Sequence, residues 1–151
     1  MGTTNFDAIQ AATLVGALTG NVTGNLTGNV TGQVTYPATV ARTATADGTG
    51  TGTIAAAGLL QFVTVTSDSA AKIIILPTPT PGTIVILRNG ATGYELRSSA
   101  PATIAINGGA GADAESAVAA STMVIAVCTS ATTWQAIGLA GTTLAAVEAA
   151  A

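Results

Sequence analysis

An aliphatic residue recurs at every fourth position near the N-terminus, in Leu/Val-Thr-Gly-Asn tetrapeptides that span residues 18–35. An α-helix has 3.6 residues per turn and would drift off this stripe, and each repeated glycine would cost about 1 kcal/mol relative to alanine. A lone strand would place the aliphatic residues and the glycines on one poorly packing face. The pattern therefore predicts an intertwined stalk in which several identical chains share a core, with a flexible low-complexity linker as the alternative. The predicted oligomer-interface residues are Leu18, Val22, Leu26, Val30 and Val34.

Short β-type runs begin at residue 59 and recur at intervals of about ten residues, separated by turn signals such as Asn89-Gly90. No segment of helical length separates them. This spacing predicts an antiparallel β-sandwich or jelly roll over residues 58–139. The predicted strands are 59–66, 72–76, 83–88, 94–98, 103–107, 116–120, 122–128 and 132–138.

Three of these runs, 73–76, 84–87 and 123–127, are apolar at consecutive positions and not only at alternate ones. A strand with one face in water normally alternates, so both faces of these strands need cover. A symmetric neighbouring copy would supply that cover. The alternative is that the strands lie between layers of one large subunit.

The remaining segments have too few large apolar residues to build a core. Residues 1–17 are expected to form an N-terminal anchoring arm, and the Thr/Ala/Gly-rich stretch 36–57 a linker. Residues 140–151 form an Ala-rich tail, expected as a short helix or a disordered end. The predicted architecture is therefore all-β: a repeat-built stalk, then an antiparallel sandwich, in a homo-oligomer.

Charge is scarce, which narrows the classes of partner. Only 7% of residues are charged, whereas roughly a quarter of the residues of an average soluble domain are charged, and the formal net charge is −3. No basic patch could neutralise several phosphates, so nucleic acid is not expected as a partner. No apolar run reaches the roughly 18 residues of a membrane helix, and no basic residue precedes Arg42, so neither a membrane span nor a secretory signal is expected.

The side chains of common catalytic centres are mostly missing. The chain has no histidine, which excludes Ser-His-Asp and Cys-His arrangements and imidazole-bound metals. The lone lysine, Lys72, lies near Ser67 and Ser69 but is expected to be an exposed charge at a strand end. Cys128, the single cysteine, lies in an apolar run and is expected to be a small buried hydrophobe.

Acidic residues offer two further possibilities, both weak. A virion-borne glycanase would use paired carboxylates, but it would also need aromatic sugar platforms, and Trp134 is expected to be a core or interface anchor. Residues 108–115 match one copy of a calcium-binding nonapeptide that needs neighbouring copies. We therefore expect no enzyme activity, no cofactor and no metal. The available carboxylates are Asp68, Glu95, Asp113 and Glu115.

Several motifs resemble those of tailed-bacteriophage virion proteins. They are Thr3-Thr-Asn-Phe-Asp-Ala-Ile, the Val-Thr-Gly-Asn repeats, Pro81-Gly-Thr-Ile-Val-Ile-Leu-Arg-Asn, Thr103-Ile-Ala-Ile-Asn-Gly and Val127-Cys-Thr-Ser-Ala-Thr-Thr-Trp. They are spread over most of the chain, between residues 3 and 134. The chain is similar to small head-decoration (cement or head-fibre) proteins and to terminal domains of tail fibres.

This resemblance implies a homotrimer without enzymatic activity, made in the host cytoplasm and carried on the virion. One short repeat followed by one sandwich favours the outer surface of the capsid, with the major capsid protein as partner and Phe6 and Ile9 touching the shell. The alternative is a tail-fibre or receptor-binding tip protein for host adsorption. Threonine-rich ice-binding surfaces are a further class, but they need longer parallel arrays than this repeat provides.

Overall fold

The protein is all-β over the residues that the computed structural model describes, 39–140 and 143–145. The predicted arm and repeat stalk, residues 1–17 and 18–35, lie outside this range. The described residues contain one short 3-10 helix, Gly50–Gly52, and no helix that is long and apolar enough to span a membrane. The strands are β1 Val40–Thr43, β2 Leu60–Thr66, β3 Ile73–Ile75, β4 Ile84–Asn89, β5 Tyr94–Arg97, β6 Ala105–Ile106, β7 Glu115–Val118, β8 Thr122–Ser130, β9 Thr133–Ala140 and β10 Thr143–Ala145.

The strands form two sheets, and from β2 to β5 the chain alternates between them. The large sheet has the order β1-β2-β4-β8-β9-β10, with β6 also paired to β9, and the small sheet has the order β3-β5-β7. β1, β2 and β4 are parallel neighbours: Val40 pairs with Val63, an offset of 23 residues (40 to 63), and Leu60 pairs with Ile84, an offset of 24 residues (60 to 84). Stacked coils of this kind give the domain a β-solenoid-like arrangement.

The predicted antiparallel β-sandwich or jelly roll is therefore wrong for the first part of the domain. β3 and β5 are parallel, as are β1, β2 and β4, because each connection carries the chain across to the other sheet and back. Antiparallel pairing appears only later, where β4, β8, β9 and β10 are neighbours and where β5 meets β7. The predicted strands themselves are confirmed, since each of the eight runs overlaps an observed strand.

The core lies between the two sheets and is built from alternate strand positions. On β2, Gln61, Val63 and Val65 are buried while the residues between them are exposed. Burying an aliphatic side chain stabilises a fold by about 1.5–3 kcal/mol, so Val63 and Val65 contribute together with the other buried apolar residues of both sheets. Tyr94 and Trp134 are the largest fully buried side chains among the described residues, within which neither the Tyr94 hydroxyl nor Trp134 Nε1 has a hydrogen-bond partner.

Residues 36–57 are not simply a linker, because part of this stretch belongs to the domain. After β1 the chain caps the edge of the small sheet: Ile73 N donates to Thr45 O (2.7 Å). Ala44 and Ile54 are 1% and 2% exposed and belong to the core. Ala44 N donates to Thr66 O and Ile54 N donates to Ile75 O, so both residues are held by partners more than 20 positions further along the chain, which local composition does not reveal.

The loop between Thr45 and Thr53 covers the outer side of β3. The Asp47 carboxylate accepts hydrogen bonds from Thr49 N (3.0 Å) and Thr49 Oγ1 (2.8 Å), and these bonds lower the pKa of Asp47. The next residue, Gly48, has a φ of +77° and lies directly against the side chains of Ile73 and Ile75. The loop therefore shields two isoleucines that would otherwise face water.

Part of the C-terminal tail departs from the expectation of a helix or a disordered end over residues 140–151. β10 pairs antiparallel with β9, with Leu144 opposite Leu139. Residues 143–145 therefore add a strand to the large sheet, and the pairing with β9 accounts for their extended conformation; the expectation for the rest of the tail lies outside the described residues.

Replacing Gly48 with alanine should destabilise the domain by about 2–4 kcal/mol. The substitution combines strain at positive φ with overpacking, because the new Cβ would lie 2.6 Å from Ile75 Cγ1. Gly50→Ala is the matched control: Gly50 also has a positive φ, of +61°, but nothing lies within 4 Å of its would-be Cβ. Urea unfolding should show a clearly smaller loss for the control. Equal losses in the two variants would contradict the proposed cover over β3.

Replacing Tyr94 with phenylalanine should leave the free energy of unfolding at neutral pH unchanged or raise it by about 1 kcal/mol, because the variant no longer buries a hydroxyl without a partner. Burial also raises the pKa of Tyr94 above its ordinary value of 10.0. Above that pH the unfolded chain binds fewer protons than the folded one, so wild-type stability should fall as pH rises, and more steeply than in the variant. Denaturant titrations at pH 8 and pH 11 measure both effects, and a variant much less stable at pH 8 would refute the first.

Candidate interaction surface

A row of four large apolar side chains crosses the solvent-facing side of the large sheet. Strand register places Phe62 opposite Ile86, Ile86 opposite Ile125, and Ile125 opposite Ile137. Their neighbours along each strand point into the core, so these four point away from it. Phe62 is 36% exposed and Ile137 43% exposed, although both lie in the middle of a strand.

A second row lies on each side of the first, and together the three rows define the outer apolar face. One flanking row runs from Leu60 through Ile84 and Val127 to Gln135. The other runs from Thr64 through Arg88 and Met123 to Leu139.

The outer apolar face has the size of an interaction site. Four strands about 4.8 Å apart and about seven residues long, at 3.3 Å per residue, span roughly 440 Å² of flat area. The largest apolar patch of a typical monomer covers about 300–600 Å² and is often functional. A shallow depression of about 450 Å³ between Ile125, Val127 and Ile137 would accept side chains of a partner.

Polar groups are confined to the ends of the outer apolar face. Thr64 and Arg88 lie in one flanking row, and Gln135 ends the other, while the central row is entirely apolar. Arg88 is exposed, and the ion pairs among the described residues lie elsewhere, on the small sheet and in the loop before it. An apolar centre with a polar margin is the composition of protein–protein interfaces.

The three doubly apolar runs have different kinds of cover. The outer side of run 73–76 is covered from within the chain, because the Thr45–Thr53 loop lies over Ile73 and Ile75. For this strand the alternative of cover within one subunit is correct. The outer sides of runs 84–87 and 123–127 have no such cover from the described residues, and Met123 is 39% exposed. Cover by a neighbouring copy stays a prediction for these two runs.

The titratable side chains of the small sheet lie away from this face, on which Arg88 is the charged residue. Arg97 Nη2 lies 2.7 Å from Glu115 Oε2 on the small sheet, with the arginine side chain only 17% exposed. Glu95, on the strand beside Glu115, has its pKa raised by desolvation and by repulsion from the Glu115 carboxylate. Glu115 is thus neutralised by an arginine rather than paired with a second carboxylate for acid–base work.

The other candidate residues occupy structural positions. Lys72 Nζ lies 2.8 Å from Asp68 Oδ1 in an exposed pair, as expected of a strand-end charge, while the Ser67 hydroxyl donates to Ser69 O. No group of three or more potential metal ligands occurs among the described residues, the 108–115 loop included. Cys128 and Trp134 are both in the core, which confirms the prediction for each.

The site residues predicted from the sequence lie outside the described residues. These are Leu18, Val22, Leu26, Val30 and Val34 of the repeat, and Phe6 and Ile9 of the arm. Sequence reasoning did not identify Phe62 and Ile137 as surface residues. Their runs alternate, and only the register between β2, β4, β8 and β9 brings their side chains into one row.

Comparison with known proteins does not assign this chain to a family. No family model, no curated protein and no solved structure matches this chain.

Proposed function

We propose that this chain is a non-enzymatic structural protein of a phage virion, a decoration protein that binds the outer surface of the head as a homotrimer and stabilises it. The observation that supports the proposal is the outer apolar face. Its central row, Phe62, Ile86, Ile125 and Ile137, lies on the side of the large sheet away from the core, with Phe62 and Ile137 exposed and Ile86 and Ile125 half-buried. A protein that works as a homo-oligomer gives such a face a permanent partner.

Two parts of the proposal, the location on a virion and the trimeric state, rest on the motifs that resemble phage head-decoration proteins. Within this proposal the N-terminal arm contacts the major capsid protein through Phe6 and Ile9, and the described domain projects outward. Three arms on one trimer bind several capsid subunits at once, so weak individual contacts add up to high occupancy. A shell bridged in this way resists expansion.

The low charge of the chain supports a structural role for the outward domain. Seven acids and four basic residues are the whole charged set. Among the described residues, Lys72 forms an ion pair with Asp68, and Arg97 forms one with Glu115. Eleven charged side chains in 151 residues provide few groups for recognition of a charged ligand, whereas the outer apolar face provides apolar surface for association.

Replacing both Phe6 and Ile9 with serine should weaken binding to heads that lack this protein by at least about tenfold, without changing the oligomer. Two apolar side chains contribute about 1.5–3 kcal/mol each when buried, and the loss is repeated in every arm of the trimer. Co-sedimentation with purified heads measures occupancy. Deleting residues 1–16 should abolish binding and leave the oligomer intact.

The matched control replaces Asn5 and Gln10 with serine, which changes the same arm but removes no apolar surface. Its occupancy should equal that of the unaltered chain. Unchanged occupancy after the deletion would refute attachment through the arm. Electron microscopy of intact particles checks the location: density on the head supports the proposal, and density only at the tail tip would overturn it in favour of host adsorption.

A further inference from the structure

We propose that the outer apolar face is buried against a second copy of this chain, so that the domains, and not only the repeat, hold the oligomer together. The inference rests on the homo-oligomer proposed above and assigns its contact surface. The central residues of this contact are Phe62, Ile86, Ile125 and Ile137.

The point at which the N-terminal chain enters the domain favours a second copy as the occupant. Thr39 lines the same depression as Phe62, Ile86 and Met123. Val34, the last aliphatic residue of the repeat, precedes Thr39 by five residues, which can span at most about 17 Å. Copies joined through their repeats therefore have their outer apolar faces held close to one another.

Tethering of this kind makes a modest contact sufficient. A short flexible connection gives two linked modules an effective concentration in the millimolar range. The footprint of roughly 440 Å² of flat area is smaller than the roughly 800 Å² that each partner buries in a free-standing interface of standard size. The outer apolar face is thus suited to association between copies that are already joined and less suited to capture of an unrelated protein from solution.

The opposite side of the domain is a poor competitor for this contact. The outer side of the small sheet carries Glu95 and the Arg97–Glu115 ion pair, and its apolar residues Ile73 and Ile75 are covered by the Thr45–Thr53 loop. A contact there would have to desolvate charged groups, which is costly. The outer apolar face has no charged group in its central row, and its one arginine, Arg88, lies in a flanking row where it can stay at the margin of the contact.

Thiol labelling of the full chain tests the assignment. Ile137→Cys introduces a thiol at a position that is 43% exposed in one copy, and Ala117→Cys introduces one at an exposed position on β7 of the small sheet. The native Cys128 is 2% exposed, and the unaltered chain supplies its background rate. In the oligomer, the Ile137→Cys thiol should react with a maleimide at least tenfold more slowly than the Ala117→Cys thiol. Once dilution separates the copies, the two thiols should react at the same rate.

A second pair of variants tests the same two positions without an introduced cysteine, which controls for local effects of that substitution. Ile137→Lys should lower the urea concentration at which the copies dissociate, or raise the dissociation constant of the oligomer at least tenfold. Ala117→Lys should change neither quantity. Equal thiol rates in a sample that chemical cross-linking shows to be multi-chain would overturn this inference and leave the proposed oligomer standing. A single-chain protein in the cross-linking control would overturn both.

Discussion

The strict alternation of side chains along strands in register is the constraint on which the rest of this structure depends. The pairing that stacks Val63, Leu87 and Val124 into the core also fixes every position between them on the opposite side of the sheet. A slip of one residue would exchange the two sets. The core register and the outer row from Phe62 to Ile137 are therefore one arrangement, and the chain cannot have the first without presenting the second.

The positions of the strands could be predicted from the sequence because they depend on local chemistry. Which strands pair, and in which direction, could not be predicted. Apolar runs bounded by Pro, Gly and Asn occur wherever a chain enters and leaves a strand. A spacing of about ten residues between strands fits a hairpin meander, and it fits equally well a coil that crosses once to a second sheet and back. The pairing of Leu60 with Ile84, parallel and one full coil apart, leaves no signal in local composition.

Long-range partners also explain why the sequence did not reveal the structural roles of residues 36–57 or of Asn89. Ala44 and Gly48 look like linker residues, and their roles arise from β3 and the core, far along the chain. Asn89 was identified only as part of a turn. In the fold it is buried: Asn89 Nδ2 donates to Ala119 O (2.9 Å) and Asn89 Oδ1 accepts from Thr122 N (2.8 Å), which ties β4 to the start of β8. The sequence did predict strands that need cover on both sides, but only the Gly48 loop shows which of them the chain covers itself.

We propose that the working form is a homo-oligomer in which neighbouring copies bury the outer apolar face. Light scattering of the purified chain over a range of protein concentrations tests this proposal. We expect a species with three times the mass of one chain that persists on dilution into the micromolar range. A mass equal to that of one chain at all concentrations would contradict it.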